Sequence, residues 1–275
     1  MTNIPFDAIG FDLDGTLLDT FRDLGAAVNH ALVLGGFAAV PLETSKDLIG
    51  GGAKIMLARA VEAQGGLPAE EFKRLYKAML AYYEVHNAVH TAPYPGVRAV
   101  LAELAAQGIR MAVVTNKFEG FARSVLTQLD LIDTFETVIG GDSMGKGPDG
   151  QFLAKPHPAP VMAARAATGG GRFVFIGDST YDVRSAKAAG VPVIAAAYGY
   201  CDKPPHDLGA DAVIDSFDAL IPALRGSGAE VVGFVSHVRA DLIAAFRAAG
   251  ADRVLARSAF VQELPRLLKR GAAKD

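Results

Sequence analysis

The sequence of 275 residues has little of three features that mark particular classes of protein. Its single cysteine, Cys201, cannot form an intramolecular disulfide, which fits a reducing compartment. Its formal net charge of −3 shows no excess that would favour nucleic acid or an anionic membrane as a partner. It has neither an apolar run of about 18 residues nor the basic and apolar segments of a secretory signal. We therefore expect a cytoplasmic protein that binds a small molecule.

The sequence does show short apolar runs that alternate with helical patterns, within a composition of 51% apolar and 21% charged residues. Apolar runs that end in polar residues predict buried strands at 8–11, 111–114, 173–176, 191–197 and 212–214. Helical patterns that end near a glycine lie at 97–107, 121–129, 158–167 and 179–189. This alternation predicts an α/β fold, with a doubly wound, Rossmann-like parallel sheet between helices.

One segment interrupts this alternation, because it contains only helical patterns. These patterns lie at 21–34, 45–63 and 69–90. We interpret the segment as a small helical cap, residues 19–91, inserted into an α/β core formed by residues 1–18 and 92–225. The cap ends at 91–96, where two prolines and a glycine favour a stiff turn, so the two connections could act as hinges.

The last 50 residues or so predict a separate βαβα extension, residues 226–275. A glycine-containing link is followed by patterns for strands at 230–235 and 253–256 and for helices at 238–249 and 260–269. This segment resembles the second half of a bacterial receiver domain, but Arg257 and Ser258 stand where that family usually has lysine and proline. Signalling by phosphorylation is therefore not expected. The extension could instead pack on a sheet edge or pair with another protomer, which would make a homo-oligomer.

Acidic and polar side chains follow three of the predicted strands. Asp12 and Asp14 come after the first strand, and residues two apart on an extended chain face the same side. Thr115 follows the second strand and Asp178 follows the third. Because ligands bind at the carboxyl ends of the strands in such a sheet, we expect these groups to converge.

This set of groups suits phosphoryl transfer. Mg²⁺ prefers oxygen ligands, and an ionised Asp12 can attack phosphorus without a base. The negative charges of Asp12 and of the phosphate must then be offset by a cation and a lysine. Repulsion between neighbouring carboxylates favours the protonated form of one, which lets Asp14 protonate the leaving alcohol and later deprotonate water.

Four ordered segments, 12–17, 113–117, 155–156 and 176–182, resemble the motifs of the haloacid dehalogenase superfamily, over roughly residues 4–224. The resemblance implies that Asp12 is the nucleophile and Asp14 the general acid and base. It also implies that Thr115 and Asn116 bind phosphate and that Lys155 neutralises the charge of the phosphoryl group. Mg²⁺ would be bound by Asp12, Asp14 and Asp178. Gly15 and Asp182 would be supporting residues, with Asp182 holding the metal site and Lys155 in place.

Within the superfamily, segments 12–20, 48–53 and 95–97 most resemble phosphoglycolate phosphatases. This resemblance implies that the substrate is a small phosphorylated metabolite, with 2-phosphoglycolate as the first candidate. It also implies that hydrolysis passes through an aspartyl-phosphate intermediate. The alternatives are a sugar phosphomutase, a sugar-phosphate phosphatase of the same superfamily, and a non-enzymatic regulatory module. Dehalogenases of the superfamily need no metal and lack the second carboxylate, so Asp14 and Asp178 count against them.

Two features leave more than one interpretation open. Gly51 and Lys54 in the cap could bind substrate, although a glycine run is often a plain turn and a helical lysine is often solvated. The long segment 142–152 predicts a surface hairpin and raises the question whether Lys146 or Lys155 enters the site. We favour Lys155, because it directly precedes a proline.

Overall fold

A computed structural model of the chain describes residues 4–226, 232–235, 253–256 and 259–264. The chain divides into two compact units, Met1–Gly226 and Ser227–Asp275. The first unit contains a six-stranded parallel sheet with the order β5-β4-β1-β6-β7-β8. Its strands are β1 Ala8–Phe11, β4 Arg110–Val114, β5 Thr137–Ile139, β6 Phe173–Gly177, β7 Val193–Ala196 and β8 Ala212–Ile214.

Helices cover both faces of this sheet. They are α4 Val97–Ala106, α5 Glu119–Gln128, α6 Ala159–Ala167, α7 Thr180–Ala188 and α8 Leu220–Gly226. Alternate residues of a strand point to opposite faces, so Ile9 packs in one core cluster with Val97 of α4, whereas Ala8 packs in another with Val183 of α7. The predicted α/β fold with a doubly wound parallel sheet is confirmed.

Strand β5, Thr137–Ile139, was not predicted. It has only three residues and lies at the edge of the sheet, beside β4. A run this short carries too little periodicity to be recognised in a sequence, since typical strands have about five or six residues. The strand predicted over 191–197 is shorter than expected and covers Val193–Ala196.

The segment between β1 and β4 is helical, as predicted, but one of its helices is interrupted. Its helices are α1 Phe21–Leu34, a 3₁₀ segment Leu42–Leu48, α2 Ala53–Glu62 and α3 Ala69–His86. The single helix predicted over 45–63 is wrong, because Gly50 and Gly52 adopt φ values of 125° and 89° that do not continue a helix. Val28, Leu57 and Leu75 form part of a separate hydrophobic cluster between these helices.

The two connections of the helical segment lie side by side. Strand β2, Leu18–Asp19, pairs antiparallel with strand β3, Ala92–Pro93. Of the boundaries predicted for the cap, residues 19–91, the first lies at the end of β2 and the second directly before β3. The division into core and cap, and the role of the connections as hinges, stay predictions.

Asp23 ties the start of α1 to the returning chain. Its buried carboxylate accepts hydrogen bonds from the main-chain N–H groups of His90 and Thr91, both at 2.9 Å, and from the Thr91 hydroxyl at 2.7 Å. Hydrogen bonds to a buried charged group stabilise more than neutral ones, and their loss leaves donors without a partner.

We expect Asp23→Ala to lower the free energy of unfolding by about 3 kcal/mol, because three donors lose their acceptor. Urea denaturation followed by circular dichroism measures the change. Glu43→Ala is the control, since Glu43 makes only an exposed ion pair with Lys46 at 3.6 Å and should leave stability unchanged. Equal effects of the two substitutions would contradict this role of Asp23.

The second unit contains a parallel pair of strands, β9 Val232–Val235 and β10 Arg253–Ala256, and residues 259–264 are helical. These elements agree with the strands and the last helix of the predicted βαβα extension. The helix predicted over 238–249 lies outside the described residues, as do Arg257 and Ser258. Within the described ranges, no helix is both long enough and apolar enough to span a bilayer.

Candidate active site

The predicted site residues lie at the carboxyl ends of three neighbouring strands. The central strand β1 pairs with β4 on one side and with β6 on the other. In this register Phe11 lies opposite Val113 and Ile176, so the next residues along all three strands reach the same edge of the sheet. Asp12 therefore lies between Thr115 and Asp178, which follow β4 and β6.

Three carboxylates form a buried cluster at this edge. One oxygen from each of Asp12, Asp178 and Asp182 lies within 4.8 Å of the others. Lys155 lies among them, with its Nζ 2.8 Å from Asp12 Oδ1 and 2.6 Å from Asp182 Oδ1. The other Asp182 oxygen accepts hydrogen bonds from the Ser179 hydroxyl at 2.6 Å and the Ser179 N–H at 3.0 Å. Asp182 is thus held by the start of α7 and in turn holds Lys155.

The cluster carries more negative charge than one lysine balances. Burial, followed by repulsion from Asp182, raises the pKa of Asp12 to about 7. Burial, followed by repulsion from Asp182 and Asp12, raises the pKa of Asp178 well above its ordinary value. Burial alone lowers the pKa of Lys155, but Asp12 and Asp182 outweigh it and raise the pKa to about 12. Lys155 therefore stays charged, and the cluster still lacks positive charge.

The residues present fit a hard divalent cation. Several carboxylate oxygens close together are the donor set that Mg²⁺ prefers. The space beside Asp178 is kept open by two glycines, because a Cβ at Gly15 would lie 2.1 Å and one at Gly199 2.5 Å from Asp178 Oδ2. Either methyl group would displace this carboxylate, so a side chain at Gly15 or Gly199 is incompatible with the position of Asp178.

These pKa shifts predict how stability depends on pH without a divalent cation. A carboxyl group whose pKa is higher in the folded state binds protons preferentially there, so stability falls as pH rises from 3.8 to about 7. We expect a loss on the order of 3 kcal/mol between pH 4 and pH 7.5 from Asp12, with Asp178 adding in the same direction.

Urea denaturation in EDTA at several pH values measures this dependence. Mg²⁺ should restore stability, and more at pH 7.5 than at pH 5, because it binds the ionised carboxylates. The Asp12→Asn and Asp178→Asn variants serve as controls and should show a weaker decline. A decline of the same size in both variants would contradict the assignment to these carboxylates.

Thr115 and Asn116 follow β4, and Asn116 contacts the glycine turn of the helical segment. Thr115 is buried, and its hydroxyl oxygen accepts a hydrogen bond from the Lys117 N–H at 3.2 Å. The Asn116 amide donates to the carbonyl of Lys155 at 3.0 Å and to that of Gly50 at 3.4 Å. Both residues line the same pocket as Asp12, and Asn116 contacts Lys155.

Lys117 is a site residue that the sequence interpretation missed. Its Nζ lies 2.9 Å from Asp14 Oδ1 and 3.0 Å from the Tyr83 hydroxyl on α3, and the side chain is almost completely buried. Burial alone lowers the pKa of Lys117, but Asp14 outweighs it and holds the pKa above its ordinary value. The available signal was its position directly after Thr115 and Asn116. Its partner Tyr83 carried no such signal.

Tyr200 is a second residue at the site that was not predicted from the sequence. Its N–H donates to Asp178 Oδ2 at 2.5 Å, and its hydroxyl donates to Asp19 Oδ1 at 2.7 Å. The same hydroxyl accepts from the N–H groups of Thr20 and Phe21, at 2.6 and 3.0 Å. Tyr200 thus links the acidic cluster to the first connection of the helical segment.

The remaining predicted residues lie farther from Asp12. Lys54 is exposed, and with Gly51 it lines a groove that also reaches Lys155. Lys146 lies in the predicted hairpin, bridged to Phe152, with its Nζ 5.1 Å from the centre of that ring. The structure therefore brings Lys155, and not Lys146, to Asp12.

A small pocket of about 60 Å³ opens on Asp12 and Asp14 beneath the helical segment. Polar groups at its base come from Asp12, Asp14, Thr115, Asn116 and Lys117, and its other walls are mostly apolar. The apolar walls include Leu24, Ile49, Met56, Met79, Leu80 and Phe121. The pocket can hold a compact ligand, with charged groups at one end.

Comparisons with known proteins agree with this geometry. The family model of the haloacid dehalogenase-like hydrolases, which describes the sequences of that family, matches residues 9–196 of this chain. A phosphoglycolate phosphatase of Rhodospirillum rubrum is 40% identical over 220 residues, which cover 78% of this chain and 88% of the relative.

Two crystal structures show the same architecture. A predicted phosphoglycolate phosphatase of Haemophilus somnus has a TM-score of 0.72 and 32% identity, over 80% of this chain and 98% of that one. CbbY of Rhodobacter sphaeroides with xylulose-(1,5)bisphosphate has a TM-score of 0.63 and 25% identity, over 78% and 96%. With a model match over most of its length and relatives of this similarity, the chain belongs to the haloacid dehalogenase-like hydrolase family.

Proposed function

We propose that the chain is a Mg²⁺-dependent phosphatase that hydrolyses 2-phosphoglycolate through an aspartyl-phosphate formed on Asp12. The observation that carries this proposal is the contact between Asp12 and Lys155, at 2.8 Å, within a buried cluster of carboxylates. A carboxylate held by an ammonium group beside a cation-binding cluster is suited to attack a phosphate ester.

The groups that would hold Mg²⁺ are Asp12, Asp178 and the main-chain carbonyl of Asp14. When bound, Mg²⁺ offsets the negative charges of the phosphate and of Asp12. Lys155 supplies a second positive charge at the same place, and Asp182 keeps it there. Thr115 and Asn116 would bind the phosphate oxygens from the β4 side.

The reaction then has two steps, transfer of the phosphoryl group to Asp12 and its hydrolysis. An oxygen of Asp12 forms a bond to phosphorus while the ester P–O bond breaks, and Asp14 gives a proton to the leaving alcohol oxygen. A water molecule next gives its proton to Asp14 and attacks phosphorus, which breaks the bond to Asp12 and releases phosphate. Asp14 thus returns to its protonated state, and Asp12 to its free carboxylate.

The pocket favours a small substrate over a sugar phosphate. Its walls beyond the charged end are mostly apolar, and they offer few partners for sugar hydroxyl groups. A sugar phosphatase or phosphomutase is the second candidate, because CbbY of Rhodobacter sphaeroides was crystallised with a sugar bisphosphate. A non-enzymatic module would predict at least one altered motif residue, and Asp12, Asp14, Lys155 and Asp178 are all present.

A phosphate-release assay distinguishes these candidates. We expect kcat/KM for 2-phosphoglycolate to exceed that for hexose phosphates and xylulose bisphosphate by at least about 100-fold, and EDTA to abolish turnover. Isomerisation of a hexose phosphate without phosphate release would instead identify a phosphomutase. A higher kcat/KM for a sugar phosphate would overturn the choice of substrate.

A further inference from the structure

We propose that Lys117, with the hydroxyl of Tyr83, binds a carboxylate carried by the leaving group of the substrate. This inference rests on the proposed function, because it needs a phosphate ester bound at Asp12. It assigns the selectivity for an anionic leaving group to a core lysine rather than to Lys54, which is exposed.

Lys117 has the properties of a ligand-binding cation. Burial of an ammonium group is costly unless acceptors surround it, and here the acceptors are Asp14 and Tyr83, at 2.9 and 3.0 Å. Both lie in the same pocket as Lys117. The ammonium group has three donors, so it can also donate to an incoming anion. Lys117 is the one basic residue that lines this pocket among the described residues, since Lys155 faces the acidic cluster.

The position of Lys117 relative to the chemistry fits a short hydroxy acid. In the proposed reaction Asp14 contacts the ester oxygen, and Lys117 contacts Asp14 directly. In 2-phosphoglycolate a single methylene separates that ester oxygen from the carboxylate. The carboxylate therefore falls beside Lys117 when the phosphate lies next to Asp12 and Lys155, so the two lysines bind opposite ends of the substrate.

Tyr83 makes this subsite depend on the helical segment. It lies on α3, packs edge-to-face against Phe121 with ring centres 5.5 Å apart, and places its hydroxyl against Lys117. A carboxylate bound by Lys117 would also lie within reach of that hydroxyl, which can turn to donate to it. Apolar walls around the two groups exclude water and strengthen the charge interaction.

Non-hydrolysable analogues test this inference without involving proton transfer. 3-Phosphonopropionate copies 2-phosphoglycolate with a methylene in place of the ester oxygen, and propylphosphonate is the matched analogue without the carboxylate. Calorimetry with Mg²⁺ should show that the protein binds the first at least about 50-fold more tightly. Lys117→Met should reduce this preference to below about threefold, and Tyr83→Phe should reduce it partially.

Lys77→Met, an exposed position on α3, is the control and should keep the full preference. Thermal unfolding establishes that each variant is folded, and Lys117→Arg, which keeps the charge, should retain part of the preference. An unchanged preference in Lys117→Met, or an equal loss of affinity for both analogues, would overturn the inference and leave the phosphatase proposal intact. Failure of the unmodified protein to hydrolyse any phosphate ester would overturn the proposed function, and this inference with it.

Discussion

Asp12→Asn is expected to lower kcat with 2-phosphoglycolate on the order of 10⁵-fold, because a neutral amide cannot form the bond to phosphorus. The amide has nearly the same size as the carboxylate, so the fold should persist. Loss of a negative charge from a cluster with too few cations should even stabilise the protein without Mg²⁺. Phosphate release in Mg²⁺ and urea denaturation in EDTA measure the two effects.

The intermediate can be detected directly. Acid quenching during turnover, followed by borohydride reduction, should convert the acyl phosphate at position 12 into an alcohol that peptide mass spectrometry identifies. Asp133→Asn is the matched control, since Asp133 is exposed and lies in the short 3₁₀ turn before β5. Activity of Asp12→Asn within tenfold of the unmodified protein, or a label on another residue, would refute the nucleophile assignment.

Lys155→Met is expected to lower kcat about 10²- to 10³-fold, because the charge on the transferring phosphoryl group loses its fixed ammonium partner. The change also leaves Asp12 and Asp182 without their shared cation. Breaking a buried charge pair from one side costs about 3–5 kcal/mol, so we expect lower stability in EDTA and partial recovery in Mg²⁺.

Lys146→Met provides the comparison for Lys155→Met, because it removes the same group from the exposed hairpin. It should change neither kcat nor the response of stability to Mg²⁺. A larger effect of Lys146→Met than of Lys155→Met would show that the wrong lysine has been assigned to the site.

The parts of the fold that could be predicted are those with strong local patterns. Helix α1 covers the predicted range, Phe21–Leu34, because its apolar spacing and length are typical of an amphipathic helix. The helix predicted over 45–63 failed where glycines at 50–52 override the surrounding pattern. The three-residue strand β5 could not be predicted, because its place in the sheet depends on pairing with β4.

The candidate site divides in the same way. Asp12, Thr115 and Asp178 were predictable, because each follows a strand and parallel strands end at a common edge. Tyr200 was not, since it bonds to Asp178, 22 residues away, and to Thr20, 180 residues away. No sequence periodicity extends over such separations.

The sequence by itself determined the family, the sheet and the acidic residues at its edge, because short motifs and strand patterns are local and occur in a fixed order. Only the tertiary structure decided which lysine meets Asp12, which cation meets Asp14, and which residue of the helical segment contacts that cation. Lys117 and Tyr83 are 34 residues apart and belong to different elements. Their contact arises where α3 packs against α5 and the loop that follows β4. Apolar burial brings these elements together, and the buried charges must then find partners.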